Sequence, residues 1–261
     1  VLLLLPPSEG KAQPPGRSRS LDLTTLSFPA LTPVRRRLIE HLVTLCSGDE
    51  ATAVRTLGLS PGLASEVARN RVLTTAPTLP AARLFTGVLY EALDLRSLDA
   101  AATRRANRSV LVFSGLFGVL RLGDRVPAHR LAADVSLPGV GPVASVWRAA
   151  LDDVLAEAAG RSGLVVDLRS SSYAAMWRPG GELARRTVSV RVLHERRPGD
   201  PASRVVVSHF NKATKGRLAR ALLVDAAKPT SRAAFVDLLG RLGFHAEASG
   251  TGRVDVVVEA P

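Results

Sequence analysis

The segment Leu2-Leu3-Leu4-Leu5-Pro6-Pro7-Ser8-Glu9-Gly10-Lys11 joins an uninterrupted apolar run to two prolines and a polar loop. A run this short, without polar alternation, predicts a strand buried on both faces. Pro6-Pro7 ends it, because proline has no N–H to give to a ladder. Ser8, Glu9 and Lys11 then stand at the strand's carboxyl end, where ligand sites of α/β sheets form. Gly10-Lys11 is not a nucleotide-binding P-loop, since no glycine precedes it at the required offset and Ala12 stands where a magnesium-binding hydroxyl belongs.

Outward from this strand the element types alternate. Thr32-Pro33 reads as a cap and first residue of a helix to about position 45. Two short helices are expected over 50–57 and 63–72, joined by Gly58-Leu59-Ser60-Pro61-Gly62 as a helical hairpin. Helical patterns continue over 84–95, 97–106, 142–159, 172–177, 212–226 and 232–242. Strands are expected at 110–113, 164–168, 188–193 and 205–208, and 244–248 with 254–258 form a terminal hairpin across Ser249-Gly250-Thr251-Gly252. This mixture predicts an α+β fold, with a central mixed β-sheet, surrounding helices and a helix-hairpin-helix-like element. No interdomain linker or fixed-period repeat interrupts it, so one compact unit over 1–261 is expected.

The 261 residues hold 35 Lys+Arg against 23 Asp+Glu, a formal charge of +12. Lysine supplies only Lys11, Lys212, Lys215 and Lys228, leaving 35 − 4 = 31 arginines, a skew that codon bias alone can produce. Placement says more than the total. Between Thr103 and Arg130 six arginines face one acid, Asp124, and between Asn211 and Arg220 four cations face none. Such clusters attract polyanions, and counterion release from phosphates supplies much of the binding energy. An apolar share of 46% excludes a disordered chain. No run approaches the roughly 18 apolar residues of a membrane span, and no secretory leader is evident, so a cytoplasmic protein is expected. The single cysteine, Cys46, reads as a buried apolar residue.

Chemical motifs are sparse. His41, His129, His194, His209 and His245 are scattered without metal-ligand spacing, so neither metal nor cofactor is expected. Ser114 in Phe113-Ser114-Gly115-Leu116-Phe117-Gly118 lacks the preceding glycine of a nucleophile elbow. Ser170-Ser171-Ser172 follows a strand and precedes a helix, where hydroxyls hold an anion or simply cap. In His209-Phe210-Asn211-Lys212-Ala213-Thr214-Lys215-Gly216-Arg217-Leu218-Ala219-Arg220 the apolar face begins at Leu218, which places Lys212 and Lys215 in the first turn of a helix, beside unsatisfied N–H groups. The spacing points to an anion or phosphate site. The turn at Gly58–Gly62 is similar to DNA-binding hairpins that offer backbone N–H groups to a phosphate; Leu137-Pro138-Gly139-Val140-Gly141-Pro142-Val143-Ala144 has closer wording but no helix before it.

Taken in order, Leu2–Lys11, Phe85–Tyr90, Phe113–Arg121, His129-Arg130-Leu131, Val166–Tyr173 and Val207–Arg220 resemble the YaaA family of peroxide stress proteins, in its actinobacterial branch. The resemblance implies a single mixed α/β unit in the cytosol. It also implies a role in limiting hydrogen peroxide damage, in part by lowering free iron, and DNA binding through a helix-hairpin-helix element and a basic cleft. Carried onto this chain, the hairpin is Gly58 to Gly62, and the cleft draws on Lys11, Arg121, Arg130, Lys212, Lys215, Arg217 and Arg220. Two blocks depart from the better-known members. Pro6-Pro7-Ser8-Glu9-Gly10-Lys11 replaces Ser-Pro-Ala-Lys-Thr-Leu, and Asp167-Leu168-Arg169-Ser170 replaces Asn-Leu-Ala-Ser.

Three readings follow. The first is a non-catalytic protein that binds DNA through phosphate contacts and tolerates any sequence; with aromatics at 4%, backbone contact is favoured over base stacking. The second is an enzyme for a small anionic or nucleotide-like substrate, in a pocket where Ser8, Glu9, Lys11, Asp124, Ser170, Tyr173, Asn211, Lys212 and Lys215 meet. The third is a scaffold for protein partners whose cations reflect codon usage.

Overall fold

The computed structural model describes residues 1–259, with 208–210 and 259 described in their backbone alone. Eight strands form the central sheet: β1 (Leu2–Leu5), β2 (Val110–Ser114), β3 (Gly118–Arg121), β4 (Val165–Asp167), β5 (Thr187–Glu195), β6 (Arg204–Val205), β7 (His245–Ser249) and β8 (Arg253–Glu259). They lie in the order β7-β8-β5-β4-β1-β2-β3, with β6 beside the end of β5. The five inner strands are parallel, and antiparallel β3 and β7 close the two edges. The mixed α/β fold expected from the sequence is the one observed.

β1 is central, in register with β2 through Leu3↔Val110 and with β4 through Leu2↔Val165. A central parallel strand is covered on both faces, which is why its four residues are all leucine and all buried. Each buried leucine contributes about 1.5–3 kcal/mol relative to exposure. Opposite this core, helix Thr32–Ser47 is clamped to β3 by the fully buried Arg35. Its guanidinium donates to the carbonyls of Phe117 (3.0 Å), Val119 (2.9 Å) and Ser27 (2.8 Å), and burial lowers its pKa to about 10.

Several helix boundaries differ from the periodicity reading, each for a local reason. The pattern over 84–95 divides into Ala81–Leu84 and Val88–Leu93, because Gly87 takes φ +89 and the chain between them docks on the loop after β1. The 142–159 pattern divides into Val143–Arg148 and Asp152–Ala159, the second opening on two acids that suit a helix N-terminus. The strand expected at 205–208 is only Arg204–Val205, so the next helix begins early and spans Ser208–Asp225. Lys212 and Lys215 therefore sit beyond its first turn, and the dipole argument for them fails. Where a helical hairpin was expected, Glu50–Thr56 and Ser65–Arg71 are helices, with Gly58 at φ +62 and a short 3-10 turn at Pro61–Leu63 between them. The 137–144 segment instead falls on two short paired strands, Ser136–Leu137 and Gly141–Pro142, and the start of helix Val143–Arg148.

Helix Ser208–Asp225 packs on Val88–Leu93 at Gly216, where an added Cβ would stand 2.2 Å from the Leu89 carbonyl oxygen and 2.8 Å from Ala92 Cβ. Gly216→Ala is expected to destabilise the fold by about 1–3 kcal/mol, read as a lower urea midpoint at unchanged m value. An unchanged midpoint would show that the two helices are not in close register.

Candidate functional site

A cleft of about 950 Å³ opens at the carboxyl ends of β1, β2 and β4. From β1 the chain crosses to parallel β2 on one side and, after β3, returns to parallel β4 on the other, so the loops diverge there and make a crevice at the topological switch point. The loop after β1, the turn at Ser114-Gly115, residues 129–134 and the segment 168–174 form its walls, with the middle of β5 and helix Ser208–Asp225 closing one side.

Lys11 is placed by its backbone. It bridges to Phe85 across the break at Gly87, Ala12 N–H donates to Leu84, and Thr86 N–H donates to the Ser8 hydroxyl at 3.0 Å. Its ammonium donates to the carbonyls of Ser8 (3.2 Å) and Glu9 (3.3 Å) and stands 5.7 Å from the centre of the Phe85 ring. The Glu9 carboxylate is turned to Arg130, at 3.5 Å. Burial, reinforced by the positive Arg130, lowers the Lys11 pKa to about 8.

The facing wall begins with a buried ion pair. The Arg169 guanidinium donates to both oxygens of Asp167, at 2.9 and 2.7 Å, lies against the rings of Phe113 and Trp177, and donates again to the carbonyls of Tyr173 and Trp177. That pair fixes the turn out of β4. The carbonyls of Leu168 and Arg169 consequently meet the Lys215 ammonium at 3.0 and 3.1 Å. Burial lowers Lys215 to about 8 as well, against the pull of Asp167. Neither lysine, nor the exposed Lys212, has a carboxylate within ion-pair distance among the described residues.

Behind Lys11 lies a buried hydroxyl and imidazole. His129 Nδ1 faces the Pro127 carbonyl at 2.8 Å, which can only accept, so Nδ1 carries the proton and Nε2 accepts from the Ser114 hydroxyl at 3.1 Å. Burial and the neighbouring Lys11 charge pull its pKa down to about 3, so it is neutral at all ordinary pH. Its ring lies edge-on to Phe117 and Phe85. Burial and the nearby Asp134 carboxylate push the Tyr173 hydroxyl well up, leaving it a protonated donor.

Of the residues singled out from the sequence, Ser8, Glu9, Lys11, Arg130, Ser170, Tyr173, Asn211, Lys212 and Lys215 all line this cleft. In the orientation that satisfies its amide, Asn211 donates to the carbonyls of Val192 (3.2 Å) and Val207 (3.0 Å), tying its helix to β5. Arg121, Asp124, Arg217, Arg220, Gly58 and Gly62 are not part of the lining. Asp124 is a turn clamp that accepts from Ser27 and from Arg121 N–H. Arg121 donates to the Arg108 carbonyl and stacks over Phe28. Arg220 donates to the carbonyls of Leu93 and Asp94, and Arg217 to Thr214. Helix Ser65–Arg71 is tied to the cleft through Asn70, which donates to the Arg130 carbonyl (2.7 Å) and accepts from Arg130 N–H (2.9 Å).

Sequence reasoning missed Arg169, Arg191, Arg253 and Asp134, which also border the cleft. Arg191 donates to Asp255 at 2.8 Å on the parallel neighbour β8, a pairing invisible until strand order is known. Alternation in Val188-Ser189-Val190-Arg191-Val192 was the available signal. The described residues contain no group of three or more His, Cys, Asp or Glu that could hold a metal, and no helix long and apolar enough to cross a membrane.

A family model described as peroxide stress protein YaaA matches residues 1–245. A UPF0246 protein of Streptomyces coelicolor is 53% identical over 253 residues, covering 97% of this chain and 94% of that protein. A UPF0246 protein of Corynebacterium efficiens is 39% identical over 248 residues, covering 95% of each. A more distant one, from Shewanella woodyi, is 25% identical over 237 residues, covering 88% and 91%.

The chain's two sulfur side chains, Cys46 and Met176, are both fully buried, and burial pushes the Cys46 thiol up. A buried, protonated thiol is a poor nucleophile. Native protein in hydrogen peroxide should keep its mass, while urea-unfolded protein gains oxygen. Rapid oxidation of native protein would mean that the sulfurs are reached by peroxide.

Proposed function

We propose, from the premise that this chain belongs to the YaaA family of peroxide stress proteins, that it serves that response by binding DNA largely without regard to sequence. The observation that carries this reading is that Lys11, Lys212 and Lys215 line one cleft with no carboxylate at ion-pair distance among the described residues. Burial of Lys11 and Lys215, with the positive Arg130 beside Lys11, disfavours their charged forms unless an anion answers them. Phosphodiesters do so without any base-specific contact.

The cleft has the volume of a large small-molecule pocket, so a strand end or an extruded nucleotide enters it and a duplex does not. The hairpin turn Gly58–Gly62 takes a neighbouring phosphate, with Asn70 and Arg130 setting its distance from the cleft. Phosphates so occupied shed their condensed cations, ferrous iron among them, which moves iron-driven peroxide chemistry away from the bound DNA. A second reading, an enzyme acting on a small anionic or nucleotide-like substrate, draws on the depth of the cleft and on Lys11 and Lys215 sharing it. Mass spectrometry of metabolites retained by the parent protein but not by a Lys212→Ala/Lys215→Ala variant separates the two.

Affinity for a frayed or gapped duplex, followed by fluorescence anisotropy, should fall steeply with salt, and Lys212→Ala/Lys215→Ala should reduce the magnitude of the log–log slope by about 2. Bound phosphate favours the charged amines and so raises their pKa above the value of about 8 in the free protein. Binding therefore takes up protons and should weaken as pH rises from about 7 to 9. An affinity independent of salt and pH across these ranges would remove the reading.

A further inference from the structure

Lys11 differs from an ordinary charge clamp in three ways that geometry alone shows. It stands at the carboxyl end of the central strand, at the switch point of the sheet. The one carboxylate next to it in sequence, Glu9, is engaged by Arg130. What remains for its nitrogen is two long contacts to neutral carbonyl oxygens, at 3.2 and 3.3 Å, and the face of Phe85, partners that favour the ammonium less than a paired carboxylate would. The Glu66 and Glu9 carboxylates act from a distance to hold the proton on, and burial outweighs them. Arg130, by contrast, adds a positive charge that favours releasing it.

We propose that Lys11 is a covalent site, whose amine condenses with the aldehyde of a phosphorylated sugar while Arg130, Lys212 and Lys215 hold the phosphate. The proposal rests on the reading of the cleft as an anion site and adds a reaction to it. The Lys11 nitrogen lone pair adds to the aldehyde carbon, and the carbonyl oxygen takes up a proton to give a carbinolamine. The nitrogen then expels that hydroxyl, which leaves as water carrying the proton the nitrogen gave up. Ammonium and aldehyde thus become a protonated imine and one water, with no change of oxidation state. At pH 7 an amine titrating at about 8 is roughly one-tenth free base, against well under a thousandth for an ordinary lysine. Two sources share this chemistry: the ring-opened sugar of an abasic site in DNA, and a free sugar phosphate.

The test is reductive trapping of the full chain with cyanoborohydride. One arm uses a duplex carrying a single abasic deoxyribose, a second glyceraldehyde 3-phosphate, and a third unphosphorylated glyceraldehyde. Only four lysines exist, so peptide mapping assigns the adduct directly. The expected result is one adduct at Lys11, formed about tenfold faster with a phosphorylated aldehyde than with glyceraldehyde. It should be lost in Lys11→Arg and kept in Lys228→Arg, which lies at a separate small pocket. Faster trapping in the first arm identifies DNA as the source, and in the second a free metabolite. Adducts spread over the lysines, equal rates with and without phosphate, or no adduct would each overturn the proposal. In that event salt-sensitive DNA binding measured by anisotropy on the same protein would still stand or fall by itself.

Discussion

Asp167 and Arg169 lie two residues apart at the end of β4, joined through two hydrogen bonds and largely buried in the cleft wall. Removing two opposite charges from water costs several kcal/mol each, and only a bidentate geometry with further partners offsets it. Here the partners are the carbonyls of Tyr173 and Trp177 and the faces of Phe113 and Trp177. The segment 167–177 is thereby folded back over its own arginine. The carbonyls of Leu168 and Arg169 project to Lys215, and Ser170 to Tyr173 become cleft wall. Losing one member of the pair would leave the other charged and buried, so the wall and the lysine it orients depend on both.

Arginine and lysine divide the work of this chain. About a third of its arginines donate to backbone carbonyls, among them Arg35 on β3, Arg105 and Arg220 on helix ends, Arg148 on Ala175, and Arg186 on the loop before β4. A planar guanidinium can satisfy several carbonyls at once and stays charged even when buried. The formal charge of +12 is for that reason a poor measure of free positive surface. Lysine titrates more readily, and two of the four are held where burial lowers their basicity. The candidate chemistry follows from this division.

Most of the fold was legible because it rests on short-range chemistry. Leu2 to Leu5 read as a buried strand, the terminal hairpin was marked by its glycines, and the pattern over 232–242 is met by helix Arg232–Arg241. Helix limits were less legible where tertiary contact overrode periodicity. Gly87 breaks a helical pattern because the loop after β1 docks there, and the chain enters helix Ser208–Asp225 early because β6 is only two residues long.

The sequence by itself determined which residue types could meet an anion and in what order along the chain they come: Lys11 after the first strand, Arg130 after the long middle segment, Asn211 to Lys215 near the end. Local chemistry settles that much, since a strand, a turn or a cap is written within a few neighbouring residues. Only the tertiary structure decided that Lys11 and Lys215 share a cleft while Arg121, Arg217 and Arg220 do not, and that Glu9 serves Arg130. Those outcomes depend on strand order, on the close approach at Gly216 and on the pair at Asp167 and Arg169, each a contact between segments far apart in the chain or a burial that neighbouring residues alone cannot create.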